Sequence, residues 1–202
     1  IITEFMKNPQ VLADNGGEWF EIHNPWPFSY DLLGCYIYDL GGDVYEFTAS
    51  TVVDPYQYAT FASGAAPGFT PDFTYTYSIC QLANAADEIV LECPSLLGPI
   101  MIDSVIYDST AFPNVTGASA SLDSSSIDPD LNDVGTSWCA GVAIYNSNAT
   151  LNDRGTPGAA GYFCIRVRMQ TAPLLQQQTD PAQHQHHRQD SGEGFLTDAV
   201  AD

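Results

Sequence analysis

Within residues 1–164, the side chains best suited to proton transfer are a single histidine and one pair of adjacent carboxylates. His23 is the only histidine of this stretch, and Glu21 lies two positions before it. A histidine that acts as a general base must lie beside a nucleophile. Alternation along residues 17–25 instead predicts a strand on which Glu21 and His23 share the outward face. We therefore expect His23 to be an exposed strand residue.

Asp87 and Glu88 are the adjacent carboxylates. Acid–base catalysis requires both groups to reach one substrate, but neighbours along a strand point to opposite faces. The sequence also shows no Ser–His or Cys–His arrangement, so we expect a protein that is not an enzyme.

Oxygen donors alternate along residues 128–133. Asp128, Asp130 and Asn132 match the first three ligand positions of a calcium loop. Asp133 stands where the sixth position of an EF-hand requires glycine, and Cys139 stands where the twelfth requires glutamate. The pattern leaves two hypotheses: a looser calcium site at Asp128, Asp130, Asn132 and Asp133, or an acidic surface turn. We expect no other cofactor.

The net charge is −20, from 25 acidic residues against 5 Lys and Arg. Such a surface repels phosphate backbones and anionic lipid, so we expect no nucleic-acid partner. No stretch approaches the roughly 20 apolar residues of a membrane helix, so we expect no membrane insertion. The composition is typical of a secreted protein or of one that collects divalent cations.

Short alternating segments bounded by turn residues must position these side chains. They predict antiparallel strands within residues 1–7, 17–25, 31–39, 44–49, 56–61, 73–82, 83–93 and 99–109. In the first of them, Ile2, Glu4 and Met6 alternate with Thr3 and Phe5. No helical repeat of useful length appears, so the predicted body, residues 1–164, is an all-β antiparallel sandwich.

Tyrosines recur on the faces expected to point outward. They form either an aromatic face for a glycan or protein partner, or cross-strand pairs that stabilise the sheets. They are Tyr36, Tyr38, Tyr56, Tyr58, Tyr75 and Tyr77.

Residues 165–202 differ in composition from the body. They are rich in Gln and His with no apolar period, which predicts a flexible tail or linker. His184, His186 and His187 offer at most an opportunistic site for a transition metal.

Five cysteines are spread singly along the body, at Cys35, Cys80, Cys93, Cys139 and Cys164. None forms a C-x-x-C pair, so neither a zinc knuckle nor a thioredoxin-type site is supported. Isolated cysteines in a β-rich chain are typical of disulfides and therefore of a secreted or cell-surface protein.

The order of the segments resembles a known family. ITEFMKNP, GEWFEIHNP, DLLGCYIYD, LANAADEIVL, IDSVIYD and GASASLD are followed by a tryptophan and GTPGAAG. Over residues 2–164 this order is similar to the lamin tail domain family, in its secreted bacterial branch. The resemblance implies an immunoglobulin-like β-sandwich.

Many members of that family have tryptophan where this chain has Cys35. Parity along the strands places Cys35 and Cys93 inward, so a bridge between them across the sandwich is reasonable. Cys139 and Cys164 flank the closing segment and form the other natural pair. Cys80 is then a buried thiol, although it is also able to replace either partner of the first pair.

The leading hypothesis is a non-catalytic extracellular or cell-surface module of a larger protein, with a protein or glycan partner. The alternative is a targeting domain of a secreted hydrolase or nuclease whose catalytic part lies elsewhere. DNA binding, which eukaryotic lamin tails suggest, is opposed by the charge.

Overall fold

The computed structural model describes residues 1–164 of the 202-residue chain. The predicted tail and its three histidines lie outside the described residues. Within residues 1–164 the protein is almost entirely β, with one short helix at Asp14–Gly17 and 3-10 turns at Tyr77–Ile79 and Gly135–Ser137. The strands are β1 (Ile2–Met6), β2 (Trp19–His23), β3 (Tyr30–Asp31), β4 (Tyr36–Tyr38), β5 (Val44–Glu46), β6 (Val52–Val53), β7 (Tyr58–Ala62), β8 (Phe73–Thr74), β9 (Ala86–Cys93), β10 (Ile100–Asp108), β11 (Ala120–Leu122), β12 (Trp138–Ala140), β13 (Ile144–Ser147) and β14 (Asn152–Arg154).

Two main sheets organise these strands. The larger has the order β12-β11-β1-β2-β7-β8, and the smaller has the order β10-β9-β4-β5. Their pairings are antiparallel except for the short parallel contact of β7 with β8. Two further pairs, β3 with β6 and β13 with β14, lie outside the main sheets. Strands β11 to β14 were not anticipated from the sequence, in which the last predicted strand ends at residue 109.

Aromatic and aliphatic side chains from both main sheets form one core. Phe5 on β1 stacks on Tyr107 of β10, with ring centroids 4.6 Å apart. Phe47, which follows β5, meets Phe61 of β7 edge to face at 5.6 Å. Burial of each such ring stabilises the fold by roughly 2 kcal/mol. The prediction of an all-β sandwich is confirmed.

The inner strand β1 does not alternate as its sequence predicts. Its register on β2 shifts by one residue between Ile2 and Glu4, so that Thr3 is the extra residue of a β-bulge. Because of this shift Ile2 and Phe5, three positions apart, both lie fully buried in the same core. The prediction that Ile2 and Phe5 point to opposite faces of β1 is therefore wrong.

The predicted disulfides Cys35–Cys93 and Cys139–Cys164 are both present, with Cα atoms 4.0 Å and 5.6 Å apart. The first does not cross the sandwich as expected. Tyr36 and Glu92 are register partners on neighbouring strands β4 and β9, so the residues beside them face each other within one sheet. Both cysteines occupy the same face of that sheet, so strand parity favoured the pair although it did not exclude Cys80 as a partner.

Cys80 carries the unpaired thiol among the described residues, and it is buried. Desolvation, reinforced by the charges of Asp43 and Asp87, raises its pKa to about 12. A thiol reacts as the thiolate. We therefore expect Cys80 to resist alkylation in the native protein at pH 8.

Unfolding in denaturant without reductant should expose this one thiol, so intact mass should then increase by a single label. The variant Cys80→Ala should gain none under the same conditions. Rapid labelling of the native protein, or three labels after unfolding, would contradict the assignment.

Candidate recognition site

His23 lies in a different environment from the one expected. It is only 7% exposed, and its ring stacks on that of Tyr58 with centroids 4.0 Å apart. Its Nδ1 atom lies 3.2 Å from the carbonyl oxygen of Gln57, and burial lowers its pKa. The prediction of an exposed histidine is wrong because the neighbouring strand β7 supplies Tyr58, its register partner, as a cover.

Glu21 is also buried rather than exposed. It lies opposite Glu4 in the β1–β2 register, and the two side chains are 0% and 1% exposed. Burial raises the pKa of both carboxyl groups, and the charge of Glu4 raises that of Glu21 further. Two like charges at one place are unfavourable in a poorly solvated environment. Each carboxyl group therefore needs several donors.

Those donors come mainly from the closing segment of the body, residues 155–159. Glu4 accepts hydrogen bonds from the backbone N–H of Thr156 at 2.9 Å and from its hydroxyl at 2.6 Å, besides that of the Ser119 hydroxyl. The backbone N–H of Gly158 donates to Glu21 at 2.7 Å. The pair thus fastens the closing segment onto the outer face of β1 and β2, which is a structural task.

The calcium candidates do not converge. Asp128, Asp130 and Asp133 are exposed, and within residues 1–164 no three His, Cys, Asp or Glu side chains are placed so that they could hold one metal ion. Asn132 is fully buried; its amide donates to Asp103 at 2.8 Å and to the carbonyl of Ile2 at 3.2 Å. Asn132 therefore holds β10 to β1. A calcium site at this turn stays a prediction, and the placement of Asn132 does not favour it.

An acidic cleft of about 310 Å³ lies elsewhere on the body. Its carboxylates are Asp14, Glu18, Asp39, Asp43 and Asp87. Four of them accept hydrogen bonds from backbone N–H groups of the surrounding loops: Glu18 from Leu82, Asp39 from Gly42 and Asp43, Asp43 from Gln81, and Asp87 from Ala83 and Glu88. These carboxylates therefore hold the loops that line the cleft.

The six tyrosines do not form an aromatic face, which was the first of the two alternatives left open by the sequence. Tyr75 is 7% exposed and packs in the core near Phe20. Strand β8 ends at Thr74, so the alternation of the predicted strand 73–82 does not continue to Tyr75. Tyr36 and Tyr38 are half-buried on β4, and Tyr58 covers His23. Only Tyr56 of the six is strongly exposed, at 61%.

Three other rings form a continuous exposed surface instead. Trp26, Phe28 and Tyr30 are 54%, 51% and 45% exposed. The rings of Trp26 and Phe28 are nearly parallel with centroids 6.2 Å apart, and Phe28 lies 5.2 Å from Tyr30. We call these three side chains the aromatic patch. From the sequence, Pro25 and Pro27 indicate only a turn here, although the i, i+2, i+4 spacing of the three rings was a usable signal.

Asn24 fixes the loop that carries the patch. It is 4% exposed, and its Nδ2 atom donates to the carbonyls of Phe28 at 2.8 Å and of Val53 and Asp54 at 3.1 Å. Its Oδ1 atom accepts from the backbone N–H of Trp26 at 3.1 Å. One buried side chain thus lies within hydrogen-bond distance of four backbone groups, and it ties the patch loop to the turn at Val53 and Asp54.

The turn beside this loop is strained. Tyr56 has φ of 60°, a left-handed conformation that costs a bulky residue of order 1–3 kcal/mol. The turn is bonded to the patch loop, because Gln57 accepts from the backbone N–H of Asn24 at 2.9 Å and Asp54 accepts from the Ser29 hydroxyl at 3.0 Å. Strain retained at an exposed aromatic residue points to a functional surface.

A second exposed apolar surface lies on β10, an edge strand of the smaller sheet. Its exposed members are Ile100, Met101, Ile102 and Ile106. Nothing within residues 1–164 pairs with the outer edge of this strand, and its register with β9 holds it from the other side.

The fold and the patch define a disulfide-linked, all-β sandwich that displays a rigid aromatic surface. Comparison of the chain with protein families, with curated proteins and with solved structures gave no match. No helix within residues 1–164 has the length and apolar character needed to cross a bilayer. The two disulfides are compatible with an extracellular protein.

The buried glutamates predict an unusual dependence of stability on pH. Desolvation and the charges of Asp14 and Asp87 raise the pKa of Glu18 from 4.5 to about 8. A raised carboxyl pKa means that the folded state holds the proton more tightly, so its stabilisation is complete below pH 4.5 and is lost as pH rises through about 8. We therefore expect the melting temperature to fall between pH 6 and pH 9.

The variant Glu18→Gln keeps an acceptor for Leu82 but does not titrate, so its melting temperature should fall less over this range. Glu46→Gln removes the same charge from an exposed position and should behave as the wild type. An equal slope for all three proteins would show that Glu18 is not the titrating group.

Proposed function

We propose that this protein is a non-catalytic interaction module of a larger secreted or cell-surface protein, with a lamin-tail-type, immunoglobulin-like sandwich. The observation that carries the proposal is the aromatic patch, which lies on a loop fixed by the buried Asn24. The two disulfides support an extracellular site of action, where such bonds persist.

The patch has the properties of a recognition surface. Large exposed aromatic groups are costly in water, and clusters of them mark binding sites. Tryptophan and tyrosine provide wide contact area with few rotatable bonds. Asn24, Pro25 and Pro27 restrict the loop before binding, so little conformational entropy remains to be lost when a partner docks.

The structural roles of the buried titratable side chains also favour a binding role over a catalytic one. His23 is bonded to a backbone carbonyl, and Glu4 and Glu21 hold the closing segment. Each of these groups has a structural task that accounts for its burial. The strong negative charge further favours a neutral or basic partner over an anionic one.

The proposal predicts binding to the outer surface of the cells that produce the protein. Labelled full-length chain should co-sediment with their envelope and extracellular matrix fraction. The variant Trp26→Ala/Phe28→Ala/Tyr30→Ala should bind at least roughly tenfold more weakly, because aromatic anchors typically carry 2 kcal/mol or more.

A matched control is Ile102→Ala/Ile106→Ala, which removes exposed apolar side chains from β10 and should leave binding unchanged. Melting temperatures of both variants verify that they are folded. Absence of binding by the wild type, or equal binding by the patch variant, would refute the proposal.

A further inference from the structure

We propose that the aromatic patch binds a neutral carbohydrate chain, with sugar rings packed on Trp26 and Phe28. This inference rests on the proposed function and specifies its partner. Three features of the site carry it: the arrangement of the rings, the polar groups beside them and the charge of the body.

Trp26, Phe28 and Tyr30 follow one another at alternate positions, and each is about half exposed. The rings of Trp26 and Phe28 are nearly parallel, at 16°, whereas the ring of Tyr30 is tilted by 54° to that of Phe28. A row of half-exposed rings along one loop suits an extended ligand with flat apolar faces. The C–H faces of pyranose rings have this shape, and their slightly positive hydrogens complement the negative face of an aromatic ring.

A carboxylate lies beside the loop that carries the rings. Asp54 is exposed and accepts from the hydroxyl of Ser29, which stands between Phe28 and Tyr30 in the sequence. Charged carboxylates are strong acceptors for hydroxyl donors, and sugar hydroxyls would supply such donors to Asp54. Asp31 follows Tyr30 on β3 and so points to the opposite face, where it accepts from Leu33, Thr51 and Ser50.

The charge of the body selects among glycans. Residues 1–164 contain 20 acidic residues, with Lys7 and Arg154 as the only Lys or Arg. Uronic-acid and sulfated polysaccharides would have to approach against this field. Neutral polysaccharides experience no such repulsion. We therefore expect the patch to bind neutral polysaccharides in preference to anionic ones.

Trp26 provides a direct optical probe of the site. Of the three tryptophans, Trp19 and Trp138 are 0% and 5% exposed, whereas Trp26 is 54% exposed. Quenching of fluorescence by acrylamide should therefore report chiefly on Trp26. A glycan packed on its ring should reduce that quenching.

The experiment uses the full chain with soluble β-glucan, xylan and galactomannan, with the anionic alginate and polygalacturonate, and with choline. Affinity electrophoresis measures retardation by each polymer, and acrylamide quenching measures protection of Trp26. We expect retardation and protection by at least one neutral polymer and by neither anionic polymer. Trp26→Ala should abolish retardation, and Ile102→Ala/Ile106→Ala should retain it.

A second arm covers glycans that the panel lacks. Envelope fractions are treated with periodate, which destroys vicinal diols of sugars, or with protease, before the co-sedimentation assay. Loss of binding after periodate alone supports the inference. Binding that survives periodate but not protease overturns it and leaves the interaction module intact with a protein partner. Protection of Trp26 by choline alone also overturns it, and no envelope binding at all refutes the proposed function itself.

Discussion

The central strands β1 and β2 are covered on both faces, and most of the structure follows from that constraint. Their inner face meets the smaller sheet through Phe5 and Phe20. Their outer face carries Glu4 and Glu21, which need donors because they are enclosed. The closing segment supplies those donors, and the absence of a side chain at Gly155 is part of the fit. A Cβ atom there would lie only 2.7 Å from a carboxyl oxygen of Glu4.

The same outer face has an apolar half that is covered in a similar way. Trp19 is fully buried, and its indole N–H donates to the hydroxyl of Tyr145 at 2.9 Å. Tyr145 belongs to β13, so the β13–β14 pair covers the end of β2 that carries Trp19. In both cases a segment from the end of the body packs on its first two strands. The fold therefore depends on contacts between residues more than a hundred positions apart, such as Trp19 with Tyr145 and Glu4 with Thr156.

The proposed recognition surface lies on a loop that the sandwich leaves uncovered. Asn24 follows directly after β2, so the scaffold of the aromatic patch begins at the end of a strand whose five residues are all buried. The rings of Trp26 and Phe28 remain exposed while their backbone is fixed. Rigid support with exposed aromatic groups is the combination that binding sites require.

The sequence by itself determined the sandwich class, most strands before residue 110 and a preferred pairing of the cysteines, because period-two alternation and strand parity are local properties of the chain. The structure excluded Cys80 as a partner of Cys35 or Cys93 and added strands β11 to β14. Only the tertiary structure decided which outward faces stay exposed. Glu21 and His23 alternate as surface residues do, and their burial depends on residues 156–158 and on Tyr58. Alternation separates the two faces of a strand, but it contains no information about a distant segment that covers the second face.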